Sequence, residues 1–354
     1  MLNLKPAQTR LLSRLPFLLI LISTLLFAGG CGLLGTHKKI KVPQLLTPLT
    51  EADTPQLMSE VNRLAAVRAI HGKVDIVMED TSFAEAGLAD KYKQVEGTIT
   101  AQRPGKIYLV IQFSFVDLAQ MASDGQHFSV AILRGDEKYK RFVKGTNSAV
   151  YPKLDDDGSQ GSQTKTKQRG EKETVSALSN LRPQHLTDAL LPNRIEDAAQ
   201  TGLTYVRSEF YQEEADNRAR AKSGLRVVRG YYLLEEISPT TSGGARLSRR
   251  FWFDRVNGIR LARLQTFDDK GLLITDVSYW DEKPFGETAL VKLPARIEIT
   301  RPHDHYKLSI AYQAPADTTI DKDYQPDAFV LENRWQLPEV DLDARQRNKA
   351  TVPR

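Results

Sequence analysis

Cysteine is almost missing from this chain: Cys31 is the only one in 354 residues. No disulfide framework and no thiolate metal cage can form within one copy, so stability must come from a hydrophobic core. Histidine is scarce as well, with six residues. His303-Asp304-His305 would put two imidazoles on one face of a strand entrance, but a metal site needs further ligands and none accompanies them. Asp321, Asp323, Asp327 and Glu332 fall in the spacing of a calcium loop, yet Pro326 stands where that loop needs glycine for its sharp turn. Neither a metal nor a cofactor is therefore expected. G-x-S-x-G, P-loop and H-E-x-x-H motifs are all lacking. Carboxylate pairs such as Glu213-Glu214 and Asp268-Asp269 sit in charged turns, where such pairs are solvated, and the chain is expected not to be an enzyme.

An excess of one charge is lacking too, despite a pI of about 9.1. Lys5, Arg10 and Arg14 are the basic residues of the first thirty, which carry no acid, so removing that segment lowers the formal charge from +5 to +2. No basic face follows, and no nucleic-acid partner is expected.

Apolar runs long enough to cross a bilayer are also lacking. The longest, Leu15 to Phe27, falls short of the roughly 20 residues a spanning helix needs. What is present there is the layout of a secretory signal: a basic start, a short apolar run, then small residues. Ala28-Gly29-Gly30 directly precede Cys31 and resemble the lipobox of bacterial lipoproteins, although leucine is commoner than Ala28 at its place. Residues 1–30 are read as a lipoprotein signal peptide and Cys31 as the lipidated residue, giving a membrane anchor of two signals, which holds where one acyl chain does not. Gly30-Cys31-Gly32-Leu33-Leu34-Gly35 also spells G-x-G-x-x-G, but no strand enters it and no helix leaves it, and cleavage would divide it. Gly32 after the cysteine, in place of aspartate, favours the outer membrane over the inner under the sorting rule of enteric bacteria, with the domain facing the periplasm.

Residues 31–54, with Pro43 and Pro48, read as a lipidated tether; about 24 flexible residues span roughly 25–30 Å. TPQLMSEVNRLAAVRAI follows as an amphipathic helix, with Thr54 as N-cap, Pro55 in its first turn and Leu57, Val61, Leu64 and Arg68 on one stripe. Thereafter the period becomes two. Val74, Ile76 and Met78 alternate with polar neighbours, as do Ile107, Leu109, Ile111, Phe113 and Phe115, then Phe128, Val130 and Ile132, and later Tyr306, Leu308, Ile310 and Tyr312. Turn signals separate these runs at Arg103-Pro104-Gly105, Ser123-Asp124-Gly125, Asn257-Gly258 and Asp268-Asp269-Lys270-Gly271. Residues 152–173 are a polar loop, and VSALSNL and HLTDALL are short helices. One domain is expected over 55–340, followed by a charged tail at 341–354.

In order, GTITAQRPGKIYL, SDGQHFSV, RRFWFDRVNGIRLARLQTFDDKG and LPARIEIT resemble the LolA/LolB superfamily of periplasmic lipoprotein carriers and receptors over roughly residues 55–332, with insertions at 152–173 and 211–224. The resemblance implies an α+β, mostly β fold: a single strongly curved antiparallel sheet, a half-open β-barrel of roughly ten strands, with a helical lid over an apolar cavity. Candidate cavity residues are Ile76, Leu109, Ile111 and Phe113, with Val130, Ile132, Leu308 and Ile310 on other strands. The implied partners are lipid or lipoprotein acyl chains, and the implied role is outer-membrane lipoprotein or lipid trafficking. The rival is a structural or assembly lipoprotein with a filled core and an envelope protein partner.

Overall fold

The computed structural model describes residues 42–81, 90–91, 94–134, 137, 140–149, 151, 182–196, 201–216, 218, 224–241 and 243–351. The signal segment, Cys31, VSALSNL and the polar loop 152–173 lie outside the described residues. Two units divide at Gln44. Only residues 42–44 of the first are described; the second, Leu45–Arg354, carries the fold. Among the described residues no helix is long and apolar enough to cross a membrane.

The strands are β1 (Gln44–Leu45), β2 (Ala69–Asp80), β3 (Asp90–Lys91), β4 (Val95–Gln102), β5 (Lys106–Phe113), β6 (Val116–Asp124), β7 (His127–Ile132) and β8 (Arg141–Thr146). They continue with β9 (Thr204–Ala215), β10 (Arg226–Pro239), β11 (Ala245–Asp254), β12 (Arg260–Phe267), β13 (Leu273–Phe285), β14 (Val291–Arg301), β15 (Tyr306–Tyr312), β16 (Thr319–Ile320) and β17 (Glu339–Asp341). The helices are α1 (Thr54–Ala65), α2 (Pro183–Leu190) and α3 (Leu342–Thr351).

Among the described residues all seventeen strands belong to one sheet, more than the roughly ten expected. The shortfall has a physical cause. β6 and β8 lack a clean alternation, and in β9 most residues are exposed, so period two is blurred there. Antiparallel pairing runs without interruption from β9 through β10, β11, β12, β13 and β14 to β15, which pairs with β2. From β2 it continues through β4, β5, β6 and β7 to β8. The early strand β2 thus sits at the centre, with Met78 opposite Leu308 on one side and Val74 opposite Gly97 on the other. At the far edge β17 adds to β8 in parallel, Val340 beside Val143.

Register shifts leave one extra residue in each of β6, β11, β12 and β13, at Leu118, Ser248, Ala262 and Ile274, and such bulges bend strands and curl a sheet. The curl shows in α2, which touches β4, β5 and β6 and also β14. With neighbouring strands about 4.8 Å apart, a flat sheet would not bring strands so far apart in order against one helix.

One face of every long inner strand is buried in a single core. α1 adds Leu57, Val61 and Leu64 to it, and α2 adds Leu186, Ala189 and Leu190. Both helices pack against the inner face, and their apolar stripes join its core. Apolar side chains of that size, facing an apolar sheet, gain most by direct contact. α1 begins one residue earlier than its sequence suggested. Asp53 is the N-cap, accepting from the Gln56 N–H at 2.9 Å, while Gln56 Oε1 accepts from the Asp53 N–H at 2.9 Å. This reciprocal pair satisfies two backbone donors at the helix start, in place of the N-cap expected at Thr54. Arg68 lies beyond the helix, its backbone N–H on Asp321 at 2.6 Å.

The expected tether is fixed in place from Leu45 onward. The Leu46 N–H bonds to the Val228 carbonyl and that of Thr50 to Arg255, at 2.9 and 2.8 Å. Arg255, 2% exposed at its side chain, pairs with Glu51 and Glu209, both at 2.5 Å, and its guanidinium lies 4.3 Å from the Tyr232 ring centre. At the other end, part of the expected charged tail is α3, where Asp343 accepts from Tyr151 and, at 2.9 Å, from Thr146. Two predicted turns meet at one rim: Gly125, at φ +101°, lies so close to Pro104 that a Cβ there would sit 2.9 Å from the Pro104 carbonyl oxygen, hence glycine.

Candidate functional site: a cavity beside the inner helix

Seven of the eight candidate lipid-lining residues, Ile76, Leu109, Ile111, Val130, Ile132, Leu308 and Ile310, are gathered in the one core, each at most 4% exposed. Gly97 lets two of them interlock: a Cβ on it would meet Ile76 Cδ1 at 2.9 Å and Leu109 Cδ1 at 3.4 Å. The eighth, Phe113, is 49% exposed. It was expected to share the face of Leu109 and Ile111, but it is the last residue of β5, where their buried alternation ends. The turn that follows, with Ser114 and Phe115 both at positive φ, then carries it out of the core.

The open space lies next to these residues. A cavity of about 370 Å³ is bounded by α2, the loop after β8 and the inner faces of β12, β13 and β14. Its apolar wall is Ala189, Leu264 and Val277, all buried and all part of the core. Its polar rim holds Arg182, His185, Arg301 and Asp304. Pro183 starts α2, where its missing N–H costs nothing, and the apolar stripe Leu186, Ala189, Leu190 turns inward, so Arg182 and His185 are held at the cavity edge.

Each rim group has a defined environment. Arg301 donates to Asp304 at 2.7 Å through Nε and to the Thr275 hydroxyl at 2.6 Å through Nη1. His185 Nδ1 is 3.2 Å from the Tyr306 hydroxyl; burial, then the charges of Arg301 and Arg182, hold its pKa well below the usual value. The Arg182 guanidinium lies 5.3 Å from the ring centre of Phe128 and 5.2 Å from that of Tyr151. It forms no ion pair among the described residues, and its Nη1 is buried without a hydrogen bond. Burial pushes its pKa down, opposed only in part by Asp304. Asp188 also borders the cavity, but its interactions run to Asn193, Arg103 and Arg249.

A second, wider cleft of about 520 Å³ runs along β10 to β14 and reaches α1. Its arginines are all paired. Arg229 bridges Glu214 and Asp254 at 2.5 and 2.7 Å, and Arg260 reaches the same Asp254 at 2.9 Å. Arg263 binds Asp276, Arg296 lies 3.5 Å from Asp281, and Arg63 holds Glu60 and Glu282. Its central aromatic is covered as well, because Trp252 lies between Phe210, Tyr231 and the Arg263 guanidinium.

No protein-family model and no curated protein matches the sequence. The structural neighbours are LolA-superfamily, DUF1329 and lipoprotein-sorting-domain proteins. A LolA-superfamily protein from Nitrosomonas europaea is 11% identical, over 79% of this chain and 99% of that one, at a TM-score of 0.37. A DUF1329-family protein from Desulfovibrio piger is 10% identical, over 78% and 95%, at 0.34. A domain described as that of an outer-membrane lipoprotein-sorting protein, from Vibrio parahaemolyticus, is 11% identical, over 77% and 94%, at 0.36.

Sequence reasoning missed Arg182 and Arg301. HLTDALL was read as a short helix and Asp304 as part of a strand entrance, but the approach of Arg182 and Arg301 to one cavity has no local signal.

Proposed function

We propose that this chain is a lipoprotein, anchored through Cys31 and facing the periplasm from the outer membrane, that binds a lipid or acyl chain without catalysis and serves lipoprotein or lipid trafficking. The observation that carries the reading is the amphipathic cavity: one wall is the apolar surface of the core, the opposite rim is charged, and the volume falls within the roughly 300–1,000 Å³ of small-molecule sites. An acyl chain would lie on Ala189, Leu264 and Val277. The small residues before the lone cysteine support the anchor.

A second reading, a structural or assembly lipoprotein with protein partners, is favoured by the packing of the seven candidate residues into a filled core. Nondenaturing mass spectrometry of the full chain extracted from membranes separates the two. The first reading expects a bound lipid of defined mass beyond the covalent anchor; recovery of a stoichiometric protein and no lipid favours the second. Cys31→Ser should abolish labelling by a palmitate analogue. Persistent labelling would remove the anchor from either reading.

A further inference from the structure

Arginines in the wide cleft are neutralised, so nothing there calls for an outside anion. The smaller cavity differs. Arg301 has Asp304, but among the described residues Arg182 forms no ion pair, although it is largely withdrawn from water. Phe128 and Tyr151 lie against the guanidinium. The two ring centres are only 6.3 Å apart and the rings are inclined at 69°, so they flank the cation from one side; its Nη1 has no hydrogen-bond partner, and a free guanidinium donor suits an oxyanion. Phe128 and Tyr151 are in turn held firmly. Phe128 is 2% exposed on β7, and the Tyr151 hydroxyl is tied to Thr146 and to Asp343 of α3. A desolvated, unpaired charge on a rigid support is costly to maintain, and a bound anion offsets that cost.

We propose that Arg182, with Arg301 beside it, binds the anionic group of the ligand, a carboxylate or a phosphate, and so fixes its polar end at the cavity rim while the apolar part lies on Ala189, Leu264 and Val277. This rests on the lipid-binding reading above and assigns the chemistry of the head. The same oxyanion chemistry could be met by free phosphate, and the test distinguishes the two.

The full chain, held in digitonin with protein-free digitonin as the blank, is titrated with dansyl-undecanoic acid, with its methyl ester and with inorganic phosphate. The acid should bind about tenfold more tightly than the ester, the effect of one charge-assisted hydrogen bond. Arg182→Gln should bring the acid to the affinity of the ester and leave the ester unchanged, and Arg182→Lys should retain part of the preference. Should Arg182→Gln not fold, the acid-to-ester ratio of the parent decides alone. Equal binding of acid and ester by the parent overturns the anion site and leaves the lipid reading standing. Binding of phosphate with neither amphiphile keeps the anion site and removes the lipid. Binding of none of the three overturns both.

Discussion

Two regions of this molecule gather arginines, and they do so to different ends. Along β10 to β14, Arg229, Arg260, Arg263 and Arg296 each have a carboxylate close by, and one acid, Asp254, serves two of them. Beside α2, Arg182 has aromatic rings and, among the described residues, no ion-pair partner, Asp304 acting on it only at a distance. The first set is paired in charge, although Arg260 Nε and Arg296 Nε are buried without a hydrogen bond. The second is incomplete, and an incomplete buried charge is the better pointer to a ligand than a larger number of satisfied ones.

Removing the shared acid tests the contrast most severely. Asp254 is 6% exposed, so Asp254→Ala removes the carboxylate of Arg260, one of the two held by Arg229, and the acceptor of the Val256 N–H, and should cost about 1–3 kcal/mol, read by urea denaturation of the full chain. A loss below about 1 kcal/mol would mean that water serves those arginines as well as the carboxylate does. Ile111→Trp asks whether the inner face is filled. At 4% exposed among seven gathered residues, overpacking should cost about 1–3 kcal/mol, whereas an unchanged midpoint would reveal a chamber that opens.

The pH dependence comes next in size. His185 titrates lower in the folded chain than its ordinary value of 6.5, through burial and then Arg301 and Arg182. The unfolded chain therefore binds more protons once pH falls below about 6.5, and stability declines with falling pH by at most about 1.4 kcal/mol per unit. Arg182→Gln should shallow that slope, and His185→Gln should remove this contribution. An identical slope in both variants would mean that His185 does not feel Arg182. The smallest effect is expected from Arg182→Gln at neutral pH. Loss of its ring contacts offsets relief of an unpaired charge, so the midpoint should move by less than about 1 kcal/mol. A loss as large as that of Asp254→Ala would put Arg182 among the structural arginines and end the contrast.

Much of the inner face could be read from the sequence because alternation is local. Val74, Ile76 and Met78, or Leu308 and Ile310, declare a buried face within five residues, and the glycines at 105, 125, 258 and 271 declared the turns. The exposure of Phe113 was not legible, because alternation continues in the sequence to the point where the strand leaves the core. The packing of the helices against the inner face was not legible either, since it depends on how far α1 and α2 descend onto the sheet. Nor was the cavity rim: Arg182 and Arg301 lie on different elements, and no period relates them.

The central place of β2 has a consequence for how the molecule is made. One flank of β2 is covered by β4 almost at once, but the other waits for β15, whose first residue, Tyr306, pairs with Asp80. At about 5–20 residues per second of synthesis, that partner arrives roughly 10–45 s later. Until then the middle of the finished sheet is an open edge, and every chain passes through a stage in which its future centre is its most adhesive border. A chain ending before residue 306 would keep that border for good.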